Sequence, residues 1–195
     1  MQGKKLGQDR EKIILKMIEE KNVKGKTYRI ISLLGHGKGG YSYLAECEGV
    51  RVVLKQIHHE PCDYYSFGNK IKSELNDYDR LKKAGIRIPE MFSYDEEEEV
   101  IVKEYIEGDT VLQRIIKGES VVEYLPQVVG MAGKAKAAGL NIDYFPSNFV
   151  IRDGLLWYVD YECNGYMEEW NFENWGRKYW SMTPELKEYL ADRSR

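Results

Sequence analysis

The sequence predicts an α+β protein with two lobes. Segments rich in β-branched and aromatic residues, which favour strands, fill much of the first half of the chain, at residues 28–34, 41–47, 51–58 and 100–105. Helical periodicity dominates the second half, where a predicted β-hairpin over residues 149–160 interrupts it. Strands followed by helices are typical of α+β proteins rather than of alternating α/β folds.

Composition and charge narrow the class of protein. The chain has 195 residues, 43% of them hydrophobic and 31% charged, with a formal net charge of −3. This fraction of hydrophobic residues is enough to form a hydrophobic core. No apolar run reaches the ~20 residues that are needed to cross a bilayer. The N-terminal residues lack the apolar stretch of a secretory signal, and three widely spaced cysteines do not indicate a disulfide framework. We expect a cytoplasmic protein with reduced thiols and no membrane partner. The near-neutral charge does not favour nucleic acid as an obligate partner, although a basic patch formed in the fold stays open.

Turns and helices organise the first half of the chain. An amphipathic helix is predicted over residues 9–21, before the first strand. A glycine-rich turn joins the first two strands, residues 48–49 predict a hairpin between the second and third, and a helix follows near residues 67–83. Two more strands flank the acidic run 95–99, which we interpret as a solvated hairpin tip. We therefore expect an N-terminal lobe of about residues 1–105 with a five-stranded sheet and one helix.

The second half predicts a smaller lobe. Residues 110–138 have helical periodicity with breaks at Gly118 and around Pro126, and the C-terminal part near residues 168–191 is also predicted to be helical. We expect a minimal, mainly helical C-terminal lobe of about residues 106–195. The two lobes together form one domain that spans the whole chain.

A glycine turn, defined as residues 35–40, is the first candidate for chemistry. Gly35, Gly37 and Gly40 fit the pattern G-x-G-x-x-G. A dinucleotide site would need a helix after the glycines and an acid about 20 residues on, but a strand follows and position 55 is Lys55. Backbone without Cβ can lie close over phosphates and donate N–H groups to them. The turn is either a phosphate-binding loop or an ordinary flexible hairpin.

A lysine within an apolar strand is the second candidate. Lys55 follows residues 52–54, which are Val-Val-Leu. A lysine on an inner strand is costly unless it is paired, and the following helix offers three carboxylates, from Glu74, Asp77 and Asp79. A lysine that simply points outward is the alternative.

Three polar residues in the second half form the third candidate. Asp143 and Asn148 have the spacing D-x-x-x-x-N, and Asp160 ends the predicted strand that follows. Mg²⁺ prefers hard oxygen ligands, which Asn148 and Asp160 would supply. Asp143 would orient an attacking hydroxyl and accept its proton. Each residue alone could instead be an ordinary turn residue, so the prediction depends on the order of all the motifs together.

In that order, the motifs resemble the protein-kinase-like superfamily over roughly residues 28–176. The likeness is closest to its small atypical members, the RIO kinases and the kinase-like subunit of the KEOPS tRNA-modification complex. Residues 74–89 resemble the segment of those proteins that leads from a helix glutamate to Gly-(I/V)-x-(I/V)-Pro, and residues 102–108 resemble their interlobe hinge.

The resemblance assigns roles to several residues. It implies that Glu74, rather than its neighbouring carboxylates, holds Lys55 onto the α- and β-phosphates of ATP. It also implies that the backbone of Glu104 and Ile106 meets the adenine edge. The implied cofactors are ATP and Mg²⁺, and the implied activity is transfer of the γ-phosphate to a hydroxyl. By likeness to RIO kinases, the acceptor is Ser/Thr in a protein.

Departures from the family pattern keep alternatives open. Tyr161 and Glu162 resemble choline and aminoglycoside kinases, which favours a small-molecule acceptor. Asn141 replaces the usual His of H-x-D, Lys103 stands where an apolar gatekeeper is usual, and Phe145 stands where Ser/Thr kinases carry a lysine. Phe145 also favours a small-molecule acceptor, whereas Asn141 and Lys103 raise the hypothesis of a pseudokinase scaffold. The likeness to the KEOPS subunit allows a further hypothesis, an ATP-binding or ATPase subunit that acts in a protein complex.

Overall fold

The computed structural model describes residues 20–37, 39–59 and 69–192. The predicted helix over residues 9–21 lies outside these ranges except for its last two residues, which belong to a strand. The described residues form two compact units. The first contains the described residues up to Ser73 together with Glu90–Tyr105, and the second contains Glu74–Pro89 and the described residues from Ile106 onward.

The first unit is built on a six-stranded antiparallel sheet. In chain order its strands are β1 (Glu20–Val23), β2 (Lys26–His36), β3 (Gly40–Cys47), β4 (Val50–Ile57), β5 (Met91–Asp95) and β6 (Val100–Glu104). They lie in the order β1-β2-β3-β4-β6-β5, so β4 lies between β3 and β6. The sequence predicts five of these strands but not β1, which is short and has only one apolar residue.

Alternation along the strands produces the core of this unit. Val52 and Leu54 point to one face of β4 and pack in a buried cluster, while Val53 and Lys55 lie on the other face. The buried members of that cluster are Val23, Tyr28, Tyr43, Ala45, Val52, Leu54, Val100 and Val102.

Helix α1 (Lys70–Lys83) begins in the first unit and continues into the second. It ends in a Schellman motif, since the Gly85 N–H donates to the Lys82 carbonyl (3.0 Å) and the Ile86 N–H donates to the Leu81 carbonyl (3.1 Å). Gly85 has φ +72°, which a residue without Cβ adopts readily. The helix thus ends at the glycine that the sequence indicated.

The second unit contains three further helices and four short strands. They are α2 (Val111–Ile116), α3 (Leu125–Ala137), β7 (Leu140–Ile142), β8 (Phe149–Arg152), β9 (Leu155–Tyr158), β10 (Cys163–Gly165) and α4 (Pro184–Asp192). Strands β8 and β9 form the predicted antiparallel hairpin, and β7 pairs antiparallel with β10. Helix α2 starts at a capping box between Thr110 and Gln113, and Pro126 lies in the first turn of α3, where its missing N–H costs nothing.

The C-terminal part differs from the continuous helix that its periodicity indicates. Short 3₁₀ and π turns occupy Glu168–Trp170, Phe172–Gly176 and Arg177–Tyr179, and α4 begins only at Pro184. Asn171 interrupts the helix because its side chain accepts the Asn174 N–H.

The predicted α+β class is confirmed. An antiparallel sheet dominates the first unit and helices dominate the second, and this arrangement is compatible with a small two-lobed kinase-like fold. None of the helices in the described ranges combines the length and apolar character that crossing a bilayer requires.

Candidate functional site

The glycine turn joins β2 to β3, which is the strand–turn–strand arrangement that the sequence predicted. The Gly37 N–H donates to the Gly40 carbonyl at 3.1 Å, and Gly35 pairs with Ser42 across the two strands. A Cβ built on Gly35 or Gly37 meets nothing within 4 Å, whereas one on Gly40 would lie 2.3 Å from the Gln56 carbonyl oxygen. Gly40 is therefore required by close packing against β4, while the other two glycines leave open space above their backbone.

Replacing Gly40 by alanine is expected to destabilise the protein, because the clash is with backbone atoms that cannot rotate away. Overpacking of this kind typically costs about 1–3 kcal/mol. Thermal unfolding measures the effect, and Gly37→Ala is the matched control because its new methyl group enters open space. Equal melting temperatures for the two variants would contradict this assignment.

Lys55 lies on the central strand β4, opposite Ser42 on β3 and Ile101 on β6. Its side chain is half-buried on the face away from the valine- and leucine-rich core of the first unit. Lys103 on β6 is only 5% exposed and lies opposite Val53, so it shares this face with Lys55. The face thus carries two lysines, Lys55 at the level of Ser42 and Lys103 at the level of Leu44 on β3.

The two residues expected at the adenine edge flank the point where β6 ends. Glu104 is the last residue of β6, and its N–H donates to the Glu90 carbonyl at 2.8 Å. The Glu90 N–H in turn donates to the Glu104 carboxylate at 3.3 Å. Because that backbone N–H is already used, the group that Glu104 could offer an adenine amino group is its carbonyl. Ile106 is buried at the start of the second unit.

Asp143 lies in the loop between β7 and β8, and its own hydrogen bonds shape that loop. The carboxylate Oδ1 accepts the Phe145 N–H at 3.0 Å, which is an Asx-turn. The Asp143 carbonyl accepts the Asn148 side-chain amide at 3.4 Å. The aspartate and the asparagine of the D-x-x-x-x-N pattern are therefore in contact within one turn.

Asp160 is brought to the same place by the β8–β9 hairpin. The Val159 N–H donates to the Asn148 carbonyl at 2.9 Å, so the residue preceding Asp160 is bonded to Asn148. The Asp160 Oδ1 accepts the Tyr161 N–H at 2.8 Å. Strand β9 ends at Tyr158, two residues before Asp160, so Asp160 lies just beyond the strand rather than at its last position. The second unit thus holds Asp143, Asn148 and Asp160 in one small region.

Tyr158 is a member of this region that sequence reasoning missed. Its hydroxyl accepts the Asp143 N–H at 3.3 Å and donates to the Glu162 carbonyl at 2.8 Å. Complete burial, followed by the charges of Asp160 and Asp143, raises the pKa of Tyr158 well above its ordinary value. The hydroxyl therefore stays protonated and ties the two loops together. In the sequence it is only another aromatic residue of a buried strand.

Asn141 and Phe145, which stand where kinases usually carry a histidine and a lysine, each make structural contacts. The Asn141 side chain, 4% exposed, donates to the Met167 carbonyl at 2.8 Å. Phe145 is buried against the rings of Tyr179 and Tyr189, with centroids 5.2 and 4.5 Å away. The position two residues after Asp143 therefore holds an aromatic anchor rather than a cation.

The donor set fits Mg²⁺ better than a softer metal. Within residues 20–37, 39–59 and 69–192, no group of three or more His, Cys, Asp or Glu side chains is arranged to hold a metal ion. Mg²⁺ keeps several waters and takes one or two carboxylates together with substrate phosphates. Asp160 would offer a carboxylate and Asn148 an amide Oδ1, since its Nδ2 faces the Asp143 carbonyl; this Oδ1 also accepts the Ser147 hydroxyl at 3.4 Å.

Comparisons with known proteins agree with a kinase-like class at a coarse level. No protein-family model matches the chain. Over 85 residues the chain is 31% identical to the KEOPS complex subunit Bud32 of Pyrococcus abyssi (strain GE5 / Orsay). The match covers 42% of this chain and 39% of that protein, so it spans well under half of either. It supports the kinase-like resemblance loosely.

Proposed function

We propose that this chain is a Mg²⁺- and ATP-dependent phosphotransferase. The observation that carries the proposal is the placement of Asp143, Asn148 and Asp160 in one region of the second unit. A proton acceptor beside two hard oxygen ligands is what phosphoryl transfer from a metal–nucleotide complex requires.

The remaining predicted residues bind the nucleotide. The glycine turn lies close over the phosphates, because Gly35 and Gly37 have no Cβ and face open space, and Lys55 contacts the phosphates as a positive charge. Glu74 orients Lys55, while the Glu104 carbonyl and the Ile106 N–H bind the adenine edge. The half-burial of Lys55 on an inner strand supports its role, because such a lysine requires anionic partners.

The reaction joins the acceptor oxygen to the γ-phosphorus and breaks the bond to the β–γ bridging oxygen. Asp143 orients the hydroxyl and accepts its proton as the new bond forms. When bound, Mg²⁺ neutralises charge on the phosphate oxygens. Asn148 and Asp160 hold the metal, and the Asn148–Val159 hydrogen bond fixes their separation.

Ser or Thr of a protein is the first candidate acceptor, by the likeness to RIO kinases. A small-molecule hydroxyl, as in choline and aminoglycoside kinases, is the alternative, which Tyr161 and Glu162 favour. An assay with a mixed protein substrate and one with small alcohols and aminoglycosides distinguishes the two.

A second candidate function is an ATP-binding or ATPase subunit that acts with a protein partner. Two observations favour it. Phe145 is packed among aromatic rings, so the position two residues after Asp143 does not supply the lysine that Ser/Thr kinases carry there. The relative named above is itself described as a subunit of a complex. Phosphate release from ATP without an acceptor would favour this function. A pseudokinase scaffold, which Asn141 and Lys103 raise, would show no turnover at all.

Binding of Mg·ATP is expected to raise the melting temperature of the protein. A ligand at about 100 times its Kd stabilises the native state by about 2.7 kcal/mol. Thermal unfolding with and without Mg·ATP measures this shift, which Asp160→Ala is expected to remove.

Asp79→Ala is the matched control, because Asp79 is exposed on α1. The family resemblance also assigns Glu74, and not Asp79, as the partner of Lys55. This variant should keep the full shift. An unchanged melting temperature of the wild-type protein in millimolar Mg·ATP would overturn the proposed function.

A further inference from the structure

Two side chains of α1, Asp77 and Arg80, form hydrogen bonds with one residue of β10, Cys163. The Asp77 carboxylate accepts the Cys163 N–H and the Cys163 thiol, each at 3.4 Å. The Arg80 guanidinium donates to Asp77 at 2.8 Å and to the Cys163 carbonyl at 3.4 Å. Both backbone groups of Cys163 are thus bonded by side chains one helical turn apart. We call these three residues the α1–β10 clasp.

Tyrosine contacts reinforce the clasp close to Asp160. The buried ring of Tyr161 packs on the ring of Tyr78 with centroids 4.9 Å apart. The Tyr161 hydroxyl donates to the Pro89 carbonyl at 2.8 Å. Residues 161 and 163 are therefore both fixed to α1 or to the segment that follows it, and Asp160 immediately precedes them.

The helix face involved is the one that carries Glu74. Buried Tyr78 and Leu81 lie four and seven residues after Glu74, so the three share one helical face. Asp77 lies three residues after Glu74, beside the same face. The clasp therefore joins the helix that presents Glu74 to the segment that presents Asp160.

We propose that Asp77 and Arg80 are positioning residues that hold Asp160 in its metal-binding place through Cys163. This inference rests on the proposed function, since it concerns the metal of that site. Partners that hold a metal ligand in position are as much a part of metal affinity as the ligand itself.

The chemistry of Cys163 agrees with a purely positional part. Burial, followed by the charge of Asp77, raises the pKa of the thiol to about 12. A thiol with that pKa is protonated at neutral pH, so it donates a hydrogen bond to Asp77 and is not a nucleophile.

The test uses Asp77→Asn in the full chain, with two readouts. The first is the Mg²⁺ concentration that gives half of the ATP-induced rise in melting temperature, which should increase about tenfold, a typical effect of losing a partner of a metal ligand. The second is the alkylation rate of Cys163 by iodoacetamide, followed by peptide mass spectrometry. It should rise severalfold, because the thiol loses the neighbouring negative charge and the amide keeps one oxygen for the three donors that the carboxylate accepts.

Arg80→Gln is the second variant, because it loosens the clasp from the half-exposed side and leaves Asp77 in place. Asp79→Asn, exposed on the same helix, is the control and should match the wild type. Faster alkylation with an unchanged Mg²⁺ requirement in both variants would overturn the inference, since the clasp would then be structural only. Unchanged alkylation in both would overturn the clasp itself. A wild-type protein that shows no Mg·ATP shift would instead overturn the proposed function on which the inference rests.

Discussion

Replacing Asp143 by asparagine is expected to lower Mg·ATP-dependent turnover by ~10²–10⁴-fold, the usual contribution of a positioned general base. The amide keeps an oxygen at the position of Oδ1, so the Asx-turn to the Phe145 N–H can persist. What it loses is the ability to accept a proton from the acceptor hydroxyl. Turnover is measured as phosphate transferred to the acceptor or released from ATP.

The rise in melting temperature with Mg·ATP should distinguish the role of Asp143 from that of Asp160. Because Asp143 is not a proposed metal ligand, Asp143→Asn should keep the Mg·ATP-induced rise in melting temperature that Asp160→Ala loses. Wild-type turnover in Asp143→Asn would show that another group accepts the proton. Loss of the thermal shift would instead show that Asp143 helps to bind the metal.

Replacing Trp180 by alanine is expected to reduce the free energy of unfolding by about 3–5 kcal/mol, the usual cost of removing a buried aromatic side chain. Trp180 is 3% exposed and packs edge-on against Phe149 and Phe172, with centroids 5.1 and 5.6 Å away. Its indole N–H donates to the Tyr144 carbonyl at 2.8 Å. Trp180 thus stabilises the loop beside Asp143 as well as the core. Chemical denaturation measures its contribution to the free energy of unfolding.

Trp170 is the matched control for this prediction. It is 46% exposed, its indole N–H donates to the exposed carboxylate of Glu169, and its ring lies 6.0 Å from that of Trp175. Trp170→Ala should therefore change the free energy of unfolding by about 0.5 kcal/mol or less, as surface substitutions usually do. Similar losses for the two variants would contradict the assignment of Trp180 to the core.

Local patterns were enough to predict most of the first unit. Strands such as β4 and β6 are rich in β-branched residues, and most strands that follow each other in sequence are also neighbours in the sheet, although β4 pairs with β6 rather than with β5. Strand β1 was missed because its sequence, EKNV, has no such run and is held by pairing with β2. Short strands of this kind depend on tertiary pairing rather than on propensity.

In the candidate site, too, some residues could be predicted from local sequence patterns and others depend on tertiary contacts. The spacing of Asp143, Asn148 and Asp160 could be read from the sequence, because a tight hairpin between the last two returns the chain to its starting point. Tyr158 and Cys163 could not be assigned, since their roles come from hydrogen bonds to residues up to 86 positions away. The glycine pattern likewise gave three equal residues, and only the packing against Gln56 distinguishes Gly40.

The α1–β10 clasp has a consequence for the population of alternative states. A conformer with Asp160 turned away would have to break the Tyr161 hydrogen bond to Pro89, separate the packed rings of Tyr78 and Tyr161, and break the side-chain hydrogen bonds to Cys163. Such a conformer loses all of these contacts at once, so they favour the arrangement described here before any ligand binds. Under the proposed function, movement of that segment would therefore not switch the protein, and its activity would be set by the supply of nucleotide, metal and partner.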